Sequence, residues 1–298
     1  VATTTVRENS SDRAFSITNY IVLTFFLLIV LYPLIYILSA SISDPKAVVS
    51  NEVWLWPVDI NFEAYSTILQ YKAIVTGFLN SLFYAGVGTL IMVTLTLLAA
   101  YPMSRPGLRG RNQIMVFFTI PMMFSGGMIP TYLVVHDLGL LNTRWALLLP
   151  GAVAVWNVII SRTFYQVTLP NELHEAASVD GCTDFRFFWR IVLPLSKPII
   201  AVNALFFAVG HWNQFFNALI YLTDQSLFPL QLFLRDILVM NTIDPAQVGD
   251  ATEILKRQEL ADLLKYALIV VATIPPIIAY PFVQKHFVKG LMIGSIKG

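Results

Sequence analysis

Charge is what this sequence lacks most. Only 12% of its 298 residues are Asp, Glu, Lys or Arg, about half the roughly 25% of a soluble domain. So little charge cannot cover a water-soluble globule. The chain is 56% hydrophobic with a mean hydropathy of +0.68, so part of its solvent is lipid. The net charge of +1 provides no basic field for nucleic acid. The single cysteine, Cys182, excludes an intrachain disulfide and leaves the redox compartment unread. No lysine directly follows a glycine, so the G-x-x-x-x-G-K-[ST] loop that cradles phosphates is missing. ATP is therefore not expected to bind this chain. Neither G-x-S-x-G nor H-E-x-x-H occurs, and no Cys/His/Asp group has metal-ligand spacing. No catalytic residue, resident cofactor or metal is expected.

What is present is long apolar runs. A membrane helix needs about 20 such residues, since each adds about 1.5 Å of rise across about 30 Å of hydrocarbon. Six stretches qualify: 17–40, 77–101, 114–135, 145–165, 199–222 and 264–283. Their continuity argues against a membrane barrel, which alternates. The expected fold is all-α, a polytopic protein of six transmembrane helices. The first run is read as an anchor rather than a cleaved signal. It exceeds the usual apolar core of about 7–15 residues, and the charges before it are mixed (Arg7, Glu8, Asp12, Arg13). Pro33, Pro121, Pro130, Pro275 and Pro276 within the spans are read as packing kinks.

Basic residues accumulate on the cytoplasmic side. With both termini inside, the inner segments hold 12 of the 19 Lys and Arg, and the loop after the second span has Arg105, Arg109 and Arg111 without an acid. The segments around 41–76 and 223–263 then lie outside, and 169–198 lies inside. Trp54, Trp56 and Tyr65 suit an interfacial belt. Residues 253–259 read as a short surface helix.

The inner segment 169–198 is the most informative. Pro170 suits a helix start, and Glu172 and Glu175 suit its positive end. Gly181 permits the positive φ that ends a helix. Asp184 to Arg190 supports a second amphipathic turn, and Pro194 and Pro198 mark the return to the bilayer. Such a helix–turn–helix suits a groove on a partner, with Ala176 and Ala177 allowing close approach and the carboxylates pairing with partner arginines.

The string Glu175-Ala176-Ala177, Asp180-Gly181, then Ile191-x-Leu193-Pro194 resembles the EAA signature of binding-protein-dependent ABC importer permeases. The residue after the glycine, Cys182, departs from the usual alanine but is also small. Residues 284–290 and 294–298 resemble the end of the shorter pore subunit of oligosaccharide and polysaccharide importers. The resemblance covers roughly 17–298 and implies a type I ABC importer permease fold in the bacterial cytoplasmic membrane. It implies a cytoplasmic segment 1–16, a permease domain 17–298, a coupling loop 169–198, an extracytoplasmic segment 223–263 and a cytoplasmic tail 284–298. It implies a heterodimer with a second homologous permease, two ATPase subunits that bind ATP and Mg, and an extracytoplasmic solute-binding protein. Glu172, Glu175, Ala176, Ala177, Asp180, Gly181, Cys182 and Asp184 become the ATPase-coupling residues, and Lys289–Gly298 reaches toward the ATPase interface. The solute it implies is an oligosaccharide or polysaccharide fragment, translocated by alternating access. Importers of peptides or polyamines share the signature, so a non-sugar solute is the alternative. A secondary transporter fits poorly, because few charges lie in the spans.

Polar side chains at membrane depth usually face a bundle interior or a wet path. In the fifth span, Trp212, Asn213, Phe216 and Asn217 are candidates for a sugar path, with Asn213 and Asn217 on one helical face. Interhelical hydrogen bonding is the competing reading. His211 reads as a hydrogen-bonding residue rather than a proton relay.

Overall fold

The computed structural model describes residues 10–240, 262–281 and 284. The expected surface helix at 253–259 and the tail beyond Gln284 lie outside the described residues, as do residues 1–9. The described regular structure is helical. In chain order the α-helices are α1 (Ser10–Ser41), α2 (Pro45–Val49), α3 (Glu63–Gln70), α4 (Lys72–Ser104), α5 (Arg111–Met123), α6 (Met128–Asp137) and α7 (Trp145–Leu148). They continue as α8 (Val155–Thr168), α9 (Asn171–Val179), α10 (Asp184–Phe187), α11 (Leu193–Leu195), α12 (Lys197–Trp212), α13 (Phe216–Tyr221), α14 (Leu230–Met240) and α15 (Asp262–Pro281). A five-residue π-turn, Phe188–Val192, joins α10 to α11.

α1, α4 and α15 are each long and apolar enough to cross a membrane. Two bent pairs, α5 with α6 at 114° and 184–195 with α12 at 76°, bring the number to five if each pair is one span. Six had been expected, and the difference lies in the fourth stretch, 145–165. There α7 has only 4 residues, and Gly151 takes φ +77 before α8 begins. Pro150 offers no backbone N–H, and Gly151 enters a left-handed conformation that side chains disfavour, so one helix cannot run through. The bend between α5 and α6 falls where Gly127 adopts φ +86.

The chain divides into two compact units, residues 1–69 with 237–271 and residues 70–236 with 272–298. In the first, Ala40, Ala47 and Val53 form a small core, with Tyr36 and Tyr266 packed edge to face at 5.7 Å. The Ser39 hydroxyl donates to the Leu55 carbonyl at 2.6 Å, and the Val58 amide donates to Ser43 Oγ at 3.1 Å. The segment after α1 is thereby folded back onto its end. None of the most apolar 18-residue window of α1 is buried. In lipid this carries no hydrophobic penalty.

In the second unit α4 packs against α12 and α8. Near the C-terminal end of α4, a cluster gathers Leu97, Tyr101, Tyr165, Phe187, Phe188 and Val192. Near its N-terminal half, a second gathers Tyr84, Val135, Leu147, Leu148, Tyr221 and Leu232. Helices in lipid associate through close packing and polar contacts rather than hydrophobic expulsion. A buried chain supplies the polar contacts: Asn157 Nδ2 donates to Asn203 Oδ1 at 2.9 Å, and Asn203 Nδ2 donates to Ser161 Oγ at 2.8 Å.

Candidate functional site

The helix–turn–helix expected at 169–198 is present, and its local geometry follows from its residues. Leu169 is buried, and Pro170 (φ −58, ψ 148) turns the chain into α9. Beyond Val179, Gly181 adopts φ +72. Its amide donates to the Ser178 carbonyl at 3.0 Å, and the Cys182 amide donates to the Ala177 carbonyl at 2.9 Å. This pair of bonds is the Schellman arrangement that closes a helix on a left-handed residue. Thr183 then opens α10, its hydroxyl accepting from the Arg186 amide at 3.4 Å.

Two contacts fix α10 on α9. His174 Nε2 is 2.8 Å from Asp184 Oδ1, and the His174 ring meets Phe187 edge to face at 5.0 Å. Phe187 and Phe188 are buried in the cluster with Tyr101 and Tyr165, and they root the element. The outward surface carries Glu172, Glu175, Ala176, Asp180 and Asp184, all exposed. Beside them Val179 is 88% and Phe185 74% exposed. Among the described residues, Glu172, Glu175 and Asp180 form no ion pair. Ala177 and Cys182 instead pack partly buried against the protein's own core. Their small size serves the base of the element, whereas the sequence reading gave Ala177 to partner approach.

In the fifth stretch the helix ends. α12 stops at Trp212, Asn213 to Phe215 are not helical, and α13 begins at Phe216. The expectation that Asn213 and Asn217 share one helical face is therefore overturned, because no continuous helix joins them. The Trp212 indole is buried, donating to the Ala272 carbonyl at 2.9 Å and meeting Phe78 edge to face at 5.8 Å. Asn213 and Phe216 are exposed, and Asn217 is half-buried. His211 is buried, with Nδ1 3.3 Å from Gln214 Oε1 and Nε2 3.1 Å from Met92 Sδ. It is a hydrogen-bonded residue in its setting, as the sequence suggested.

Residues 92–293 match the family described as "Binding-protein-dependent transport system inner membrane component". The chain belongs to this family. Similar proteins include LplC of Bacillus subtilis strain 168, 40% identical over 99% of this chain and 98% of that one. Another is the polygalacturonan/rhamnogalacturonan transport system permease protein YtcP of the same strain, 42% identical over 96% of this chain and 99% of that one. A crystal structure of a bacterial ABC transporter involved in the import of the acidic polysaccharide alginate has a similar chain, with a TM-score of 0.85 and 36% identity. It covers 95% of this chain and 100% of that chain. The protein is thus a transport permease of an inner membrane and not an enzyme, working with an ATPase and a solute-binding protein.

Three features of the permease escaped the sequence reading. The first is the Asn157–Asn203–Ser161 chain, whose only trace in sequence is isolated polar residues in apolar runs. The second is a clamp on the first half of α4. Asn80 Nδ2 donates to the Ser226 carbonyl at 2.7 Å, the Tyr84 hydroxyl donates to the Leu227 carbonyl at 2.8 Å, and Arg144 Nη2 donates to Asn80 Oδ1 at 3.2 Å. The third is Arg105, whose guanidinium lies over Tyr101 at 5.0 Å and Phe187 at 5.8 Å. It thereby touches the root of the helix–turn–helix.

Proposed function

We propose that the permease pairs with a second, unlike permease subunit, and that its segment 169–198 seats in one of two ATPase subunits, which bind ATP and Mg. The observation that carries this is the build of the segment. Its base is anchored by Leu169, Phe187 and Phe188, while unpaired Glu172, Glu175 and Asp180 stand outward beside Val179 and Phe185. A rigid element with an apolar and anionic crown suits a groove lined with apolar and basic side chains. Glu172, Glu175, Ala176, Asp180 and Asp184 are its contacts. Gly181 sets the turn, and Ala177 and Cys182 hold the base.

Both termini and this segment lie in the cytoplasm, with 41–76 and 223–263 on the far side, following the basic residues. ATP-driven movement of the ATPases pulls on the segment. The π-turn and α11 pass that pull to α12, which is bonded to α8 through Asn203 and packed on α4. The path then opens alternately to each side. Asn213, Phe216 and Asn217, at the break between α12 and α13, face the path, and Trp212 fixes the break from behind. The solute is an oligosaccharide or polysaccharide fragment. YtcP is a polygalacturonan/rhamnogalacturonan permease and the similar solved transporter imports alginate, which supports this class.

The test is reconstitution with the partner subunits. Glu175→Lys should abolish ATPase co-purification or solute-stimulated ATP hydrolysis, and unchanged hydrolysis removes the coupling role. Uptake of labelled acidic oligosaccharide should exceed that of peptide or polyamine. The reverse order would overturn the saccharide assignment.

A further inference from the structure

Arg105, at the end of α4, has too few partners for a half-buried cation. Its Nη1 reaches the Leu169 carbonyl at 3.5 Å, the outer limit of a hydrogen bond. Nε and Nη2 are shielded from solvent without a well-formed hydrogen bond; the side-chain polar neighbour of the guanidinium is the Tyr101 hydroxyl, with Asp184 near enough to act on that same hydroxyl. The Tyr101 and Phe187 rings provide cation–π contact. Among the described residues, no carboxylate pairs with Arg105, Arg109, Arg111 or Arg162. A buried charge ordinarily finds a counter-charge.

Beside Arg105 lies a cleft of about 330 Å³, lined by Ser104, Arg105, Arg111, Gln166, Pro170 and Asn171 among others, with no carboxylate in its wall. It reaches the start of α9, which no side chain caps. Asn171, the first residue of that helix, lines the cleft, while Glu172 of the same first turn stands exposed and outside its wall. The combined chemistry is that of a site for a phosphate group.

The neighbouring surface decides between a free phosphate and a lipid. Running away from Arg111, α5 exposes Val116, Phe117 and Ile120, and on α8 Val167 is exposed next to Gln166. These suit acyl chains and have no use for a soluble anion. We propose that the cleft binds the phosphate of an anionic phospholipid of the cytoplasmic leaflet, with Arg105 and Arg111 as its charged partners. The leaflet rests on the orientation given under Proposed function. Arg105 lies on Phe187 and bonds to the Leu169 carbonyl, so the headgroup bears on the base of the helix–turn–helix. Anionic lipid then stiffens the element that meets the ATPase.

The experiment is native mass spectrometry of the complete importer, released from nanodiscs containing equal phosphatidylglycerol and phosphatidylcholine. The wild type should retain phosphatidylglycerol several-fold over phosphatidylcholine. Arg111→Gln and Arg105→Gln should each lose that preference, while Arg105→Lys, which keeps the charge, should preserve most of it. No preference in the wild type, or an undiminished preference in both glutamine variants, overturns the proposal. Displacement of the lipid by millimolar inorganic phosphate assigns the cleft to a soluble anion and also overturns it. Co-purification of the ATPase with the wild-type chain, scored in the same samples, reports separately on the permease reading.

Discussion

His174 on α9 and Asp184 at the start of α10 meet at 2.8 Å, and the same imidazole rests edge to face on buried Phe187. One side chain therefore ties together the turn, the second short helix and the core beneath them. The Asp184 side chain is 86% exposed, so the bond itself is worth on the order of 0.2–1 kcal/mol. Its effect is on geometry. His174→Ala should leave the permease folded but lower ATP hydrolysis coupled to transport, with His174→Gln recovering part of the loss. A double-mutant cycle with Asp184→Asn, read as the ratio of solute moved to ATP hydrolysed, should be non-additive. Strict additivity would mean that the pair is incidental.

Gly88 on α4 faces His211 on α12 so closely that a Cβ added there would collide with the imidazole ring. Gly88→Ala should push the ring off Met92 and separate the two helices. Overpacking of this kind costs about 1–3 kcal/mol. Thermal unfolding in detergent should show a lowered midpoint, restored in good part by the double variant Gly88→Ala with His211→Ala. Failure of the second change to rescue would place the damage elsewhere.

Asn203 is fully buried, and its amide is shared between Asn157 and Ser161. Asn203→Leu should destabilise the permease. Polar contacts between membrane helices are worth about 0.6 kcal/mol each, up to about 1.7, and Asn157 would lose its acceptor. Asn203→Leu combined with Asn157→Leu should be milder than the sum of the two single changes. Urea or thermal unfolding of the four proteins provides the comparison.

Asp224 accepts from the backbone amide of Ser226 at 2.8 Å, and this bond, followed by the Ser226 side chain, holds its carboxyl below the usual value. The ionised form is the one favoured by folding. Its contribution is therefore complete above the ordinary carboxylate pKa of about 3.9. It fades as pH falls through the lowered folded value. Asp224→Ala should speed amide exchange in the turn at 225–227 at neutral pH, and the difference from wild type should close in acid. A difference that grows on acidification would contradict this account.

The segment 169–198 was legible because its signals are local. Pro170 and Gly181 each act within a few residues on their own backbone, and 184–190 is amphipathic over a single turn, so sequence spacing alone placed both short helices. The continuity of the spans was less legible. Hydropathy averaged over about 20 residues counts Trp212, Phe215 and Phe216 as membrane material whether or not the helix runs through them. The break at Asn213 is visible only once the Trp212 indole is seen committed to Ala272. The partners of Asn203, and the Leu169 and Phe187 partners of Arg105, lie tens of residues away in the chain, and nothing local to either residue names them. The sequence treats Ala176 and Ala177 alike, and the division between the outward Ala176 and the inward Ala177 needed the packing of the core.

The 33 residues of α4 make a rod about 50 Å long, against about 30 Å of hydrocarbon. Near one end Asn80 and Tyr84 are fastened to the carbonyls of residues 226–228, and at the other Arg105 rests against the base of the helix–turn–helix. A stiff beam that pivots near its middle carries its ends in opposite directions. Rocking of α4 about its middle would shift the 226–228 attachment one way and the Arg105 contact the other. Such a motion would thus carry both attachments at once, in opposite phase, alongside the route through α11 and α12.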